Sequence, residues 1–310
     1  ALPFDAWTET VLRRFGLSTR GWAGWALDLA KGFGLSTVVL LGALLAVVGL
    51  ARAWPHRWWL PAAAAAAALV VGLSFAYPVL VEPVFNRFTP MAAGPLRTSL
   101  LDLAARDGVP VRDVLVADAS RRTAAVNAYV SGFGATRRIV VYDTLLASAT
   151  PAEVRLVVAH ELGHVRRQDV RHATLLGALG AAAGATLLFL LLGWGTLLRR
   201  AGAAGAADPR VVALVVFLVG ALGLLAGPVQ NLVSRRVEAR ADVHALDLTG
   251  DPASFVAMQR RLAVANLADL DPNPVRYALF ASHPTAPERI ALARAWAAQH
   301  GQSVPAGLVR

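Results

Sequence analysis

The chain has 310 residues and a formal charge of +10, and it is 56% hydrophobic with only 16% charged side chains, where an ordinary soluble domain carries roughly 25%. It contains no cysteine, which excludes a disulfide framework and thiolate metal ligands alike, so any zinc site has to use His, Asp or Glu. The basic balance does not single out nucleic acid, because the Arg pairs at 121/122, 137/138, 166/167, 235/236 and 260/261 mostly lie within reach of long apolar stretches, where excess arginine records membrane topology.

In chain order, residues 1–31 read as an interfacial segment. They mix apolar residues with Arg13, Arg14, Arg20 and Lys31 and carry Trp22 and Trp25, the aromatic type that favours the membrane–water boundary. The start on Ala1, without a signal-peptide pattern, is that expected of a processed or trimmed product. Residues 32–81 hold the uncharged stretches 32–51 and 58–81, each meeting the roughly 20 residues needed to cross the hydrocarbon core. They predict a transmembrane hairpin turning at 52–57.

The character changes over 82–171 to that of a folded, water-facing domain. A helix is predicted over 95–107, with Leu96, Leu100, Leu101 and Leu103 apolar and Gly108 as its stop. Three short β-type runs follow at 114–117, 126–130 and 138–142, the last two joined through Gly132 and Gly134. Thr150 as cap and Pro151 at the first position then start a further helix, which the spacing allows to run on into the next apolar stretch. A second transmembrane hairpin is predicted over 172–234, built from 173–198 and 211–234, with a kink at Gly227-Pro228. From 235 to 310 the chain is again helical and polar: a helix through Ala245, another from Asp251 and Pro252, a Pro-rich turn at 272–274, and a last helix from Pro287.

Two hairpins would leave residues 1–31, 82–171 and 235–310 on one side of the bilayer. Close to the spans that side offers Lys31, Arg87, Arg166, Arg167, Arg171, Arg235, Arg236 and Arg240, and the hairpin tips offer Arg52, Arg57, Arg199, Arg200 and Arg210. The count favours a cytoplasmic location for the folded domain in the cell membrane.

The helix started by Thr150 carries His160-Glu161-Leu162-Gly163-His164, an HExxH pattern. On a helix, positions i and i+4 share a face, so the two imidazoles can meet on one metal ion with Glu161 beside them. A catalytic zinc needs a third protein ligand and an open position for water. Glu238 is the candidate, in Ser234-Arg235-Arg236-Val237-Glu238-Ala239-Arg240-Ala241-Asp242 directly after the fourth apolar stretch, with Asp242 placed to orient a ligand histidine. His244 is an alternative ligand, and an amphipathic helix with its charges in water is the reading without a metal.

HELGH, a span, a loop, a second span and SRRVEARAD together resemble the type I CAAX prenyl endopeptidase family, membrane-embedded zinc metalloproteases of the gluzincin kind. Similar stretches occur at Phe85-Asn86-Arg87-Phe88-Thr89-Pro90, at Asn127-Ala128-Tyr129 with Ile139 to Leu146, and at Ser282-His283-Pro284 with Arg289 beyond it. The resemblance implies a mainly α integral membrane protein, with about four transmembrane helices plus a zincin-like α+β catalytic domain holding a small β-sheet. It implies one zinc ion per chain on His160, His164 and Glu238, with Glu161 as general base and Asp242 behind a ligand. It places Asn127 and His283 against the substrate backbone or oxyanion, and gives Arg289 a role in holding substrate or ordering the site.

The chain departs from the eukaryotic members, which have seven spans where this sequence shows four and begins partway along their pattern: either N-terminal spans were removed or this is a shorter, bacterial-like relative. The activity implied is endoproteolysis of membrane-associated or hydrophobic peptides, C-terminally lipidated ones among them. The partners implied are that peptide and the lipid bilayer, not nucleic acid. Broad quality-control proteolysis and a non-catalytic zinc-binding scaffold or chaperone are the alternatives.

Overall fold

The computed structural model describes residues 2–303, so residues 304–310 of the expected C-terminal region lie outside the described residues. In chain order the first elements are α1 (Leu2–Arg14), α2 (Trp22–Ala53), α3 (Trp59–Ala76), α4 (Glu82–Phe85), β1 (Phe88–Pro90) and α5 (Pro95–Arg106). Next come β2 (Asp113–Ala117), β3 (Ala128–Ser131), β4 (Arg138–Tyr142), α6 (Asp143–Ser148), α7 (Pro151–Arg166), α8 (Asp169–Leu192) and α9 (Gly195–Arg200). The chain continues with α10 (Val212–Thr249), α11 (Pro252–Ala265), α12 (Pro274–Phe280) and α13 (Ala286–Gln299). They form two compact units: residues 22–77 with 170–228, and the remainder.

Among the described residues four helices are long and apolar enough to cross a membrane: Trp22–Ala53, Trp59–Ala76, Asp169–Leu192 and the stretch Pro209–Thr249, in keeping with four predicted spans. Their surfaces explain why: Leu45, Phe217 and Leu225 are 72%, 68% and 75% exposed, a cost in water that a lipid surround removes. Where residues 22–77 and 170–228 pack on one another, Trp58 is buried and meets Phe189 edge to face with ring centres 5.5 Å apart. Thr174 donates across to Ser74 Oγ at 3.0 Å, the kind of side-chain bond that joins helices where no water competes.

The second unit is organised on a four-stranded sheet in the order β1-β2-β4-β3. β2 and β4 pair in parallel, and β1 and β3 flank them antiparallel. Val114, Ile139, Val140 and Val141 are fully buried, as β-branched side chains suit a sheet covered by helices. The core joins this sheet to α5, α7, α11 and α13 through Leu100, Leu103, Val158, Leu162, Phe255 and Ala293. α7 begins as its sequence predicts, with Thr150 and Glu153 forming a reciprocal cap and Pro151 in the first turn. Glu153 also accepts from Arg261 Nε at 3.0 Å, tying α7 to α11.

Several elements differ from expectation. β1 is a fourth strand, three residues long and ended by Pro90, too short to show an alternating pattern. α7 does not run on into α8: Gln168 takes a positive φ of 55° between them, which ends the helical ladder. α10, by contrast, is a single helix from Val212 to Thr249 with Pro228 inside it, so the expected span and the helix after it are one element. The first residues fold as α1, whose buried Glu9 accepts from Arg13, Ser18 and Arg20.

Candidate metal centre

α7 presents two faces. Val154, Val158 and Leu162 are sunk in the core, while Val157, His160, Glu161 and His164 line one cleft of about 560 Å³, as three- and four-residue spacing dictates. The ring Nε2 atoms of His160 and His164 lie 3.2 Å apart. α10 brings Glu238 to them, with Oε2 3.3 Å from Nε2 of His160 and Oε1 3.7 Å from Nε2 of His164.

Each histidine is held by its other nitrogen. Nδ1 of His160 meets Asp242 Oδ1 at 2.9 Å, and Nδ1 of His164 meets Asp169 Oδ2 at 3.0 Å. Asp242 is fully buried and gripped by Arg289, whose Nε donates to Oδ2 at 2.7 Å and whose Nη2 donates to Oδ1. Asp169 accepts from Arg240 Nη2 at 3.2 Å.

This donor set fits a tetrahedral divalent metal. Carboxylates at both Nδ1 atoms call for protons there and leave each Nε2 with a lone pair. Two ring nitrogens and a carboxylate facing one another at 3.2 to 3.7 Å call for a proton or a metal cation among them. Zinc–nitrogen bonds of about 2.0–2.1 Å at tetrahedral angles put ligand atoms about 3.3–3.4 Å apart, close to the 3.2 and 3.3 Å found around His160 Nε2, with the His164–Glu238 pair wider at 3.7 Å. Three such groups leave a fourth direction open to the cleft.

The local field points the same way. Burial pushes the His160 imidazole down, but hydrogen bonds to Asp242 and Glu238 outweigh it and raise it to about 9; surroundings that favour a positive ring also favour a metal cation. Burial pushes the Glu161 carboxyl above the usual carboxylate range, opposed by the neighbouring His160 and His164. A group so placed is suited to taking up a proton.

The remaining predicted residues lie at the same cleft. His283 lines it with its side chain 60% exposed, its Nε2 3.5 Å from Glu238 Oε1 and its Nδ1 2.9 Å from Ser282 Oγ. Asn127, exposed at the start of β3, accepts from the Ala128 N–H at 2.9 Å, leaving its NH2 group as a donor to the cleft. Arg289, for which holding substrate or ordering the site were both expected, spends its guanidinium on Asp242. His244 stands apart from the ligand cluster, 3.0 Å from Asp107 Oδ1. It also packs on Gly163, where a Cβ would lie 3.1 Å from the His244 Cβ, so a side chain at the motif's fourth residue would crowd His244. Asp169 was not anticipated. Its only signal is an acid five residues beyond the second histidine, across the backbone turn at Gln168.

Two family models match the chain. The one described as peptidase family M48 covers residues 90–297, and the one described as CAAX prenyl protease N-terminal, five membrane helices, covers residues 1–87. An uncharacterized metalloprotease of Bacillus subtilis is 31% identical over 292 residues, 93% of this chain and 68% of that protein. A CAAX prenyl protease 1 homolog of Oryza sativa is 34% identical over 223 residues, 69% of this chain but only 50% of that one, so the chain spans about half the length of this relative. The crystal structure of S. mikatae Ste24p superposes with a TM-score of 0.83 at 25% identity, covering 94% of this chain and 72% of that one.

Proposed function

The chain belongs to peptidase family M48, a family of metalloendopeptidases, and from that premise we propose that it is a zinc-dependent endopeptidase of the membrane, acting on membrane-associated or hydrophobic peptides. The observation that carries this is the convergence of His160 Nε2, His164 Nε2 and Glu238 at 3.2 to 3.7 Å with both Nδ1 atoms anchored on carboxylates. His160, His164 and Glu238 hold the metal. Zinc bound there supplies Lewis acidity toward water and the scissile carbonyl at neutral pH.

The chain's own residues do the rest. Glu161 takes the proton of the attacking water on a carboxylate oxygen and later hands it to the leaving amine. Asn127 and His283 donate to the oxygen on which charge develops, a contribution of about 10²–10³ in rate. Asp242 and Asp169 keep the two imidazoles in the tautomer and orientation that face the ligand cluster, and Arg289 holds Asp242 in place. The cleft walls are largely apolar, with Val126, Leu145, Val157, Met258 and Leu262 among the lining residues, which suits a hydrophobic peptide. Relatives named CAAX prenyl proteases make C-terminally lipidated peptides the first substrates to try. The distribution of arginines favours the cytoplasmic side for this machinery, built from 82–171 and 235–310.

The test is cleavage by the purified protein of one peptide in prenylated and unprenylated forms, with a chelator control. Glu161→Gln should abolish cleavage while zinc stays near about one per chain; undiminished cleavage by that variant sinks the assignment. Preference for the prenylated form would mark dedicated processing, and indifference to it broad quality control.

A further inference from the structure

One polar group in the cleft has no part in this chemistry. Gln259 on α11 is only 2% exposed yet lines the cleft, and its Nε2 is buried with no hydrogen-bond partner among the described residues. An unpaired buried amide forfeits its hydration for nothing, and such groups in native proteins call for an explanation.

The surroundings supply none. Met258 and Leu262 of the same helix line the cleft with Val126, Leu145 and Val157, and all five belong to the apolar core or pack against it. Asn266, the other amide on this wall, is already engaged by the Val126 N–H at 3.3 Å. Gln259 therefore brings an unpaired donor to an apolar recess that opens to the same space as Glu161 and the ligand cluster.

We propose that Gln259 is a specificity-determining residue: it forms the base of a subsite that takes an uncharged polar side chain of the peptide, an amide or a hydroxyl. The proposal rests on the proteolytic reading of the cleft. A side chain is the part of the substrate that reaches Gln259, because a residue so recessed is out of reach of a main chain passing exposed Asn127 and His283. The amide has a donor end and an acceptor end, so it pairs with either partner type. An aliphatic side chain of equal size would exclude water and leave Gln259 unpaired, the situation in which binding sites discriminate most strongly. A carboxylate or ammonium group would be buried among Met258, Leu262 and Val157 without a countercharge.

The experiment scans each position of one cleaved peptide with Gln, Leu, Glu and Lys. It measures kcat/KM and peptide Kd for the zinc-loaded protein and for Gln259→Leu and Gln259→Met, two variants of which either suffices if the other fails to fold. At one position the unaltered protein should favour Gln over Leu by about 10-fold or more, with Glu and Lys poorest. Both variants should bring the Gln/Leu ratio to about one or below, with zinc content unchanged. A ratio that the variants leave intact, or an even slowing on every peptide, overturns the proposal. Selective binding of the Gln peptide without cleavage would keep the subsite and remove the proteolytic reading. Cleavage with no Gln/Leu selectivity at any position would do the reverse.

Discussion

Replacing Asp242 with Asn preserves the shape of the side chain and strikes two contacts at once. The carboxylate is fully buried and is shared between Nδ1 of His160 and the guanidinium of Arg289. In the variant one of its two oxygens becomes an NH2 group. Turned toward Arg289, that group sets donor against donor. Turned toward His160, it needs Nδ1 as an acceptor and so drives the imidazole proton to Nε2, the atom that faces Glu238.

Loss of such an orienting partner costs about 10–100-fold in metal affinity, about 1.4–2.7 kcal/mol. The Arg289 side chain, 14% exposed, also loses its countercharge. Up to about 3–5 kcal/mol of stability goes with a fully buried pair, and this partly open one should give less. Asp169→Asn is the matched control: it holds His164 in the same way, but its cation Arg240 is 56% exposed and stays hydrated. Zinc affinity by competition with a chromophoric chelator, and thermal unfolding in detergent with and without zinc, separate the two effects. Both variants should bind zinc more weakly, and only Asp242→Asn should melt markedly lower without it. Zinc affinity of Asp242→Asn within about a factor of two of the parent, or equal destabilisation by both changes, would refute the reasoning.

Two further changes probe the scaffold. A methyl group at Gly163 would meet Cβ and Cδ2 of His244 at 3.1 Å, so Gly163→Ala should destabilise by about 1–3 kcal/mol despite the better helix propensity of Ala, and a stable variant in thermal unfolding would count against the packing. The Glu153 carboxyl is subject to burial, which raises it, but bonds from the Thr150 N–H and Arg261 prevail and hold it below the ordinary range. Its contribution to stability is therefore full above the unfolded value of about 4.3 and is lost as pH falls through the lower folded value. Unfolding midpoints taken from about pH 6 down to about pH 3 should fall more gently for Glu153→Gln than for the parent, and parallel curves would contradict the assignment.

The parts legible in sequence were those with a strong period or a strong exclusion. Four uncharged stretches were long enough to read as spans, and Thr150-Pro151 announced the start of α7 because its cap is purely local. His160 and His164 could be paired by helical spacing alone, and Glu238 could be named a candidate from its place directly after the fourth apolar stretch, but no local rule brings residues so far apart together, and the family resemblance strengthened that choice. β1 escaped because three residues with a proline show no alternation. The break between α7 and α8 escaped because Gln168 adopts a left-handed backbone without the glycine that usually signals one, and Asp169 was hidden with it. Gln259 reads from sequence as one polar residue on an amphipathic helix. Only the fold turns it inward.

The order in which the site's parts occur along the chain bears on how the protein is made. His160 and Asp242 are 82 residues apart, and Arg289 lies 129 beyond His160. A chain synthesised from its N-terminus therefore displays HExxH well before Glu238, Asp242, His283 and Arg289 exist to complete it. During that interval it holds two histidines and a glutamate but no finished centre. On the proposed reading, the three ligands can close on a metal only after the fourth apolar helix has been built.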